Sequence, residues 1–151
     1  MPQQVITLLS LICLCLVMCI VSDIKRRTIE HWVIAVITVL AGFTVYWAQL
    51  PVENALTQAG LVLVAGFILF WLSVCGAGDV KLLVAVSLAV GEQWWPWMLL
   101  LMVVLGGIVA LGLLLASWLG KPQWRAHGVP YALAIAPSGM LAIGLTLASA
   151  A

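Results

Sequence analysis

Charged residues are scarce in this chain. Of its 151 residues, 66% are hydrophobic and only 7% are Asp, Glu, Lys or Arg, whereas a typical soluble domain carries roughly 25% charged residues. So few charges cannot cover a water-facing surface. A soluble globular domain is therefore excluded, and lipid is the predicted solvent for most of the chain. The formal net charge of +1 also gives no basis for a nucleic-acid partner.

Motifs for metals, nucleotides and nucleophilic catalysis are missing. The four cysteines, Cys13, Cys15, Cys19 and Cys75, form no Cys-x-x-Cys pair, and three of them lie in the first apolar run, where a thiol acts as a small apolar side chain. The chain has no His-Glu-x-x-His, P-loop or dinucleotide motif. We therefore predict no metal site and no cofactor. The first run also lacks a basic start and a small-residue cleavage site, so we predict a retained helix and not a signal peptide.

Apolar segments, in contrast, fill most of the chain. There are six of them, at residues 5–22, 32–48, 56–74, 80–90, 97–119 and 129–150. At about 20 residues per crossing, the chain length allows six transmembrane helices at most. The fourth segment is only about half a span, so we predict a short fourth helix. The sequence thus predicts an all-α integral membrane protein with a single polytopic domain over residues 1–151.

The basic residues follow the first, third and fifth segments and no others. They are Lys25, Arg26, Arg27, Lys81, Lys121 and Arg125. The connections after the second and fourth segments carry Glu53 and Glu92 instead. If all six segments cross, every basic residue lies on one face, which the positive-inside rule makes cytoplasmic. We therefore predict both termini on the non-cytoplasmic side of the inner membrane, with the basic cluster after the first segment in contact with anionic lipid.

Two of the five acidic residues lie where an apolar segment meets the predicted cytoplasmic face. Asp23 follows the first segment, and Asp79 lies between the third and fourth. Acids at a membrane boundary are costly and often mark functional sites. The alternative is a structural aspartate that pairs with a neighbouring Lys or Arg or caps a helix, which for Asp79 means the fourth helix. Gly76 and Gly78 are predicted to end the third helix and to admit another backbone beside Asp79.

Two carboxylates within reach of each other share one proton, because both cannot ionise cheaply. The ionised carboxylate takes a proton from water, and that water attacks a peptide carbonyl. The protonated carboxylate hydrogen-bonds the carbonyl oxygen and then helps to protonate the leaving amine. If Asp23 and Asp79 meet, this is the chemistry of an aspartyl peptidase, which needs no metal.

Three stretches together resemble the type IV prepilin peptidases, which are membrane aspartyl proteases of the G-x-G-D class. They are residues 23–29 (DIKRRTI), 76–83 (GAGDVKLL) and 129–136 (VPYALAIA). The resemblance extends over essentially the whole chain and implies that Asp23 and Asp79 are the catalytic pair. The residues that it implies for the active-site loop and for substrate access are Gly76, Gly78, Lys81, Pro130 and Tyr131.

The chain is most similar to the short branch of that family, which lacks the methyltransferase half and includes enzymes of tight-adherence (Flp) pilus systems. The large loop with zinc-binding cysteine pairs is missing, so we expect no zinc and no methylation activity. The implied substrate is a prepilin or pseudopilin helix whose basic leader is removed at the cytoplasmic face. Pilus or secretion assembly machinery is an implied partner.

One departure from the family pattern leaves alternatives open. Glu30 and His31 follow Ile29, where the family usually continues with Ile-Pro-Asn, so a preset start of the second helix is lost and a third carboxylate comes near the site. One alternative is an inactive homologue that serves as an assembly factor. Another is a small proton- or cation-coupled transporter that uses both aspartates as a relay, although a relay favours acids at mid-membrane depth.

Overall fold

The computed structural model describes residues 3–26, 28, 30–118 and 130–150, and within these ranges it contains six α-helices and no strand. The helices are α1 (Gln3–Arg26), α2 (His31–Trp47), α3 (Val52–Trp71), α4 (Ala77–Leu88), α5 (Trp95–Trp118) and α6 (Ala132–Ser149). The all-helical prediction is confirmed. Its physical reason is that a chain surrounded by lipid must satisfy its backbone hydrogen bonds within each helix.

Helix length separates clear membrane spans from shorter helices. Four helices, α1, α3, α5 and α6, are long and apolar enough to cross a bilayer, while α2 has 17 residues. Helix α4 has only 12 residues, or about 18 Å at 1.5 Å per residue. A multi-pass membrane protein follows from these lengths. Six crossings and the sidedness of the termini stay predictions, and Arg27, Lys121, Arg125 and His127 lie outside the described residues.

One end of the bundle, here called the aspartate end, gathers the end of α1, the α3–α4 connection and the start of α6. The Ala132 N–H donates to Asp23 Oδ2 at 3.2 Å. The neighbouring Tyr131 hydroxyl donates to the Val74 carbonyl oxygen at 3.0 Å. Because α6 contacts both other elements here, Asp23 and the loop before Asp79 lie at the same end of the molecule.

The opposite end, here called the glutamate end, gathers the start of α3, the α4–α5 connection and the end of α6. Asn54 Nδ2 donates to Glu92 Oε2 at 2.6 Å, and the Gly91 N–H donates to Thr146 Oγ1 at 3.0 Å. The basic residues Lys25 and Arg26 lie at the aspartate end, in the last turn of α1. The acidic connections lie at the other end.

Helices α1, α2, α4 and α6 form the core of the bundle. Helix α4 packs against α2, α3 and α6, whereas α5 packs mainly against α6. The largest fully buried aliphatic side chains are Ile12, Leu16, Ile37, Leu82, Val86, Val90, Ile143 and Leu147. Helices α3 and α5 therefore flank this core on one side, and each leaves much of its apolar surface uncovered.

Two glycines bring α4 close to its neighbours. A Cβ added at Gly66 of α3 would lie 2.5 Å from Val80 Cγ1, and one added at Gly139 of α6 would lie 2.6 Å from Val86 Cγ1. Both distances are shorter than any carbon–carbon packing contact allows. The short helix is thus held between two backbone surfaces that only glycine leaves open.

The end of α3 differs from the prediction. The segment 56–74 was expected to be helical and to end at a glycine, but α3 ends at Trp71 and Ser73 takes the left-handed conformation with φ 57°. The Val74 N–H bonds the Leu69 carbonyl oxygen at 2.9 Å, and the Ser73 N–H bonds that of Phe70 at 2.9 Å. This pattern is a Schellman cap with serine in the usual glycine position. Gly76 serves instead as the N-cap of α4.

Candidate active site

Asp23 lies in the last turn of α1 and is only 7% exposed. It does not close the helix, because α1 continues to Arg26, beyond the predicted end at residue 22. Its Oδ2 accepts the Ala132 N–H. The first N–H groups of a helix have no partner within the helix, and their partial positive charge favours a carboxylate. The start of α6 therefore supplies the polar contact that a buried aspartate needs.

Asp79 lies in the first turn of α4, where it is half-buried. Its Oδ2 accepts the Gly76 N–H at 3.2 Å, so the carboxylate reaches back to the N-cap residue. The structural alternative, a capping role for Asp79, is therefore present, although Asp79 is the third helical residue and not the cap itself. A Cβ at Gly76 would lie 3.0 Å from the same oxygen, so this turn leaves room for the carboxylate.

The start of α6 connects the two aspartates. The Ala132 N–H donates to Asp23 Oδ2, and the preceding residue, Tyr131, lines the same cavity as Asp79. Burial, the neighbouring Cys75 thiol and Asp79 together raise the pKa of Tyr131. Consecutive Cα atoms are about 3.8 Å apart. The start of α6 thus bonds Asp23 through Ala132 and lines the same cavity as Asp79 through Tyr131.

Cys75 is a neighbour of Asp79 that the sequence motifs did not single out. It immediately precedes Gly76, and its Sγ lies 3.9 Å from the Gly66 carbonyl oxygen. Burial, and then the charge of Asp79, raise the pKa of the Cys75 thiol. The thiol therefore stays protonated near neutral pH and is a poor nucleophile.

A cavity of about 450 Å³ opens beside Asp79. Side chains of α3, α4, α5 and α6 line it, together with Cys75 and Tyr131. Asp79 is the one charged residue in this lining, and the other walls are almost wholly apolar. Motif analysis could not find this cavity, because it depends on how the helices pack.

The departure from the family pattern lies at the surface. Glu30 is the N-cap residue of α2, and its exposed carboxylate lies 3.3 Å from Arg26 Nη1 and accepts a hydrogen bond from Trp32 Nε1. Surface ion pairs of this kind contribute little to stability. The helix begins at His31 without the proline of the family pattern.

The remaining predicted site residues fall into two groups. Pro130 is buried, and its carbonyl oxygen accepts the Leu133 N–H at 3.2 Å, so it lies beside Tyr131 at the start of α6. Gly78 and Lys81 lie on α4, but Lys81 is exposed and does not line the cavity beside Asp79. In the described part of the chain, no three His, Cys, Asp or Glu side chains group as metal ligands.

A helical membrane bundle with two aspartates at the same end has the parts of a membrane-embedded aspartic peptidase. The family comparison agrees with this class. The model of the type IV leader peptidase family matches residues 10–111, roughly two thirds of the chain and a range that includes both aspartates. The chain belongs to that family, whose members are peptidases of the aspartic type. No curated protein and no solved structure gives a significant match.

Proposed function

We propose that this protein is an aspartic endopeptidase that removes the basic leader of prepilins or pseudopilins at the cytoplasmic face of the inner membrane. Family membership supports the peptidase activity. The observation that supports the catalytic assignment is that the start of α6 bonds Asp23 through the Ala132 N–H and lines the same cavity as Asp79 through Tyr131.

The reaction follows from two carboxylates that share one proton. One ionised carboxylate removes a proton from water, and the resulting nucleophile attacks the scissile carbonyl carbon. The protonated carboxylate donates a hydrogen bond to the carbonyl oxygen and then helps to protonate the departing amine. Each aspartate already accepts a backbone N–H, from Ala132 or from Gly76.

The substrate class follows from the electrostatics of insertion. A basic leader stays on the cytoplasmic side by the same rule that predicts the orientation of this protein. The bond between that leader and the following apolar helix then lies at the depth of the aspartate end. Pilus or secretion machinery would receive the processed protein, and the short-branch character would leave the new N-terminus unmethylated.

Co-expression with a candidate prepilin tests this proposal. We expect the native chain to shorten the prepilin on a gel, with the cut mapped by mass spectrometry between the basic leader and the apolar helix. Asp23→Asn and Asp79→Asn should each lower cleavage by about 10²- to 10⁴-fold, the usual contribution of general acid–base catalysis. Asparagine keeps an oxygen that accepts the same backbone N–H, so both variants should still insert.

Glu53→Gln is the matched control, since it makes the same chemical change at the glutamate end and should cleave like the native chain. Appreciable cleavage by either aspartate variant would refute the catalytic pair. If the native chain cleaves none of its neighbouring prepilins, the assembly-factor alternative gains support instead.

A further inference from the structure

We infer that the cavity between α3 and α5 is the docking groove for the transmembrane helix of the substrate, and that this helix enters laterally from the lipid. The inference rests on the proposed peptidase function and adds where on the protein the substrate lies. It is carried by the position of the groove, by its lining and by its continuity with Asp79.

The groove exists because its two walls do not close on each other. Helix α3 packs against α4, and α5 packs against α6, with no extensive contact between α3 and α5 in the described part of the chain. In the most apolar 18-residue stretch of α5 only 6% of the residues are buried, whereas 56% are buried in the corresponding stretch of α6. Helix α5 thus has uncovered apolar surface along the groove.

The walls of the groove are two matching helix faces. Leu61, Ala65 and Leu69 line it on α3 at intervals of four residues, and Trp95, Leu99 and Val103 line it on α5 at the same interval. Residues four apart share a helix face, and eight residues extend about 12 Å. Ala65 and Val103 are exposed, so the groove opens sideways to lipid.

The chemistry of the groove selects its occupant. A water-soluble ligand would lose its hydration against these apolar walls, whereas an apolar helix loses nothing when it leaves lipid for the groove. Backbone within a bilayer must also be hydrogen-bonded internally, so a chain that enters from lipid enters as a helix.

The position of Asp79 in the groove determines the direction in which the substrate helix lies. It is the one charged residue of the lining, and it is next to Tyr131 and Cys75 at the aspartate end of the groove, whereas Trp95 begins α5 near the glutamate end. A substrate helix in the groove therefore has its cytoplasmic end beside Asp79. The bond to its leader is then within reach of the catalytic carboxylate, and the apolar stretch follows α3 and α5 outward.

Val103 and Val104 provide a matched pair of variants. Both are exposed valines on α5, but only Val103 lines this groove. Val103→Trp should raise KM for the prepilin about tenfold or more with little change in kcat. The reason is that helix docking stabilises the bound substrate and the transition state equally, so its loss weakens binding and leaves the chemical step unchanged. Val104→Trp should leave both constants close to those of the native protein. Equal kinetics for Val103→Trp and the native protein would overturn the inference.

Photocrosslinking covers the case in which both tryptophan variants fail to fold. A benzoylphenylalanine at position 103, in full-length protein carrying Asp79→Asn so that the substrate stays intact, should crosslink to the apolar helix of the prepilin. The same probe at position 104 should not. Adducts only to lipid, or only to a second copy of this chain, would overturn the inference. A crosslink at position 103 without any cleavage by the native chain would leave the groove intact and refute only the proposed peptidase activity.

Discussion

Tyr131 holds the turn before Asp79 through one hydrogen bond, from its hydroxyl to the Val74 carbonyl oxygen. The next residue, Ala132, holds Asp23. A shift of this helix start would therefore move both carboxylates relative to a bound peptide. Since catalysis depends strongly on such positions, we expect Tyr131 to act as a positioning residue and not as a participant in the bond changes.

Tyr131→Phe should lower kcat for prepilin cleavage by about two- to tenfold, because it removes one hydrogen bond worth about 0.5–1.5 kcal/mol and keeps the ring. The pKa of Tyr131 is raised above its ordinary value of 10.0. Its hydroxyl therefore stays protonated at neutral pH, and any contribution to stability is full below pH 10 and falls as the pH rises above it.

The test is the ratio of native to Tyr131→Phe activity between about pH 6 and pH 9. A positioning role predicts a constant ratio, because the phenol does not titrate there. A ratio that changes across this range would show that the hydroxyl exchanges protons during the reaction.

At the scale of single helices, α4 depends on the two glycines that contact it. Gly66→Ala and Gly139→Ala should each lower stability by about 1–3 kcal/mol, the usual cost of adding a methyl group to a packed core. The measurement is thermal unfolding in detergent. Gly107→Ala on α5 is the control, because a Cβ there meets nothing within 4 Å. An unchanged unfolding temperature for both packed-glycine variants would contradict this account of how α4 is held.

Hydrophobicity predicts where a helix exists better than where it ends. The second segment, 32–48, lies within a residue of α2 at both ends. The third segment, 56–74, begins four residues after α3 does and ends three residues beyond it. The late end arises because the apolar run continues through a cap whose left-handed residue is Ser73. The first segment, 5–22, ends four residues before α1 does, because Lys25 and Arg26 are favourable at a helix C-terminus and extend α1 past its apolar part.

At the scale of the whole molecule, the sequence identified two acids as candidate site residues and predicted that they lie on the same side of the membrane. It did not predict which side chains surround them. Motifs mark Asp23 and Asp79 because acids are rare in such a chain. The central place of α4 and the groove between α3 and α5 depend on which helix faces meet. Six helices of similar composition leave that choice open, since nearly all of their faces are apolar.

The sidedness of the bundle is testable by cysteine labelling in a full-length chain whose native cysteines are replaced by alanine. Lys81→Cys lies at the aspartate end and Gln93→Cys at the glutamate end. We expect a membrane-impermeant maleimide to label position 93 in intact cells and position 81 only in inverted vesicles. Labelling of both positions from one side would contradict the predicted topology.

The most direct test of the central claim is kinetic and uses purified protein. Cleavage of one prepilin is measured for the native chain, Asp23→Asn, Asp79→Asn and the double variant. Two aspartates that act as a unit predict that each single variant loses as much activity as the double. Losses that multiply in the double variant, or a single variant that retains most of its activity, would contradict a shared catalytic pair.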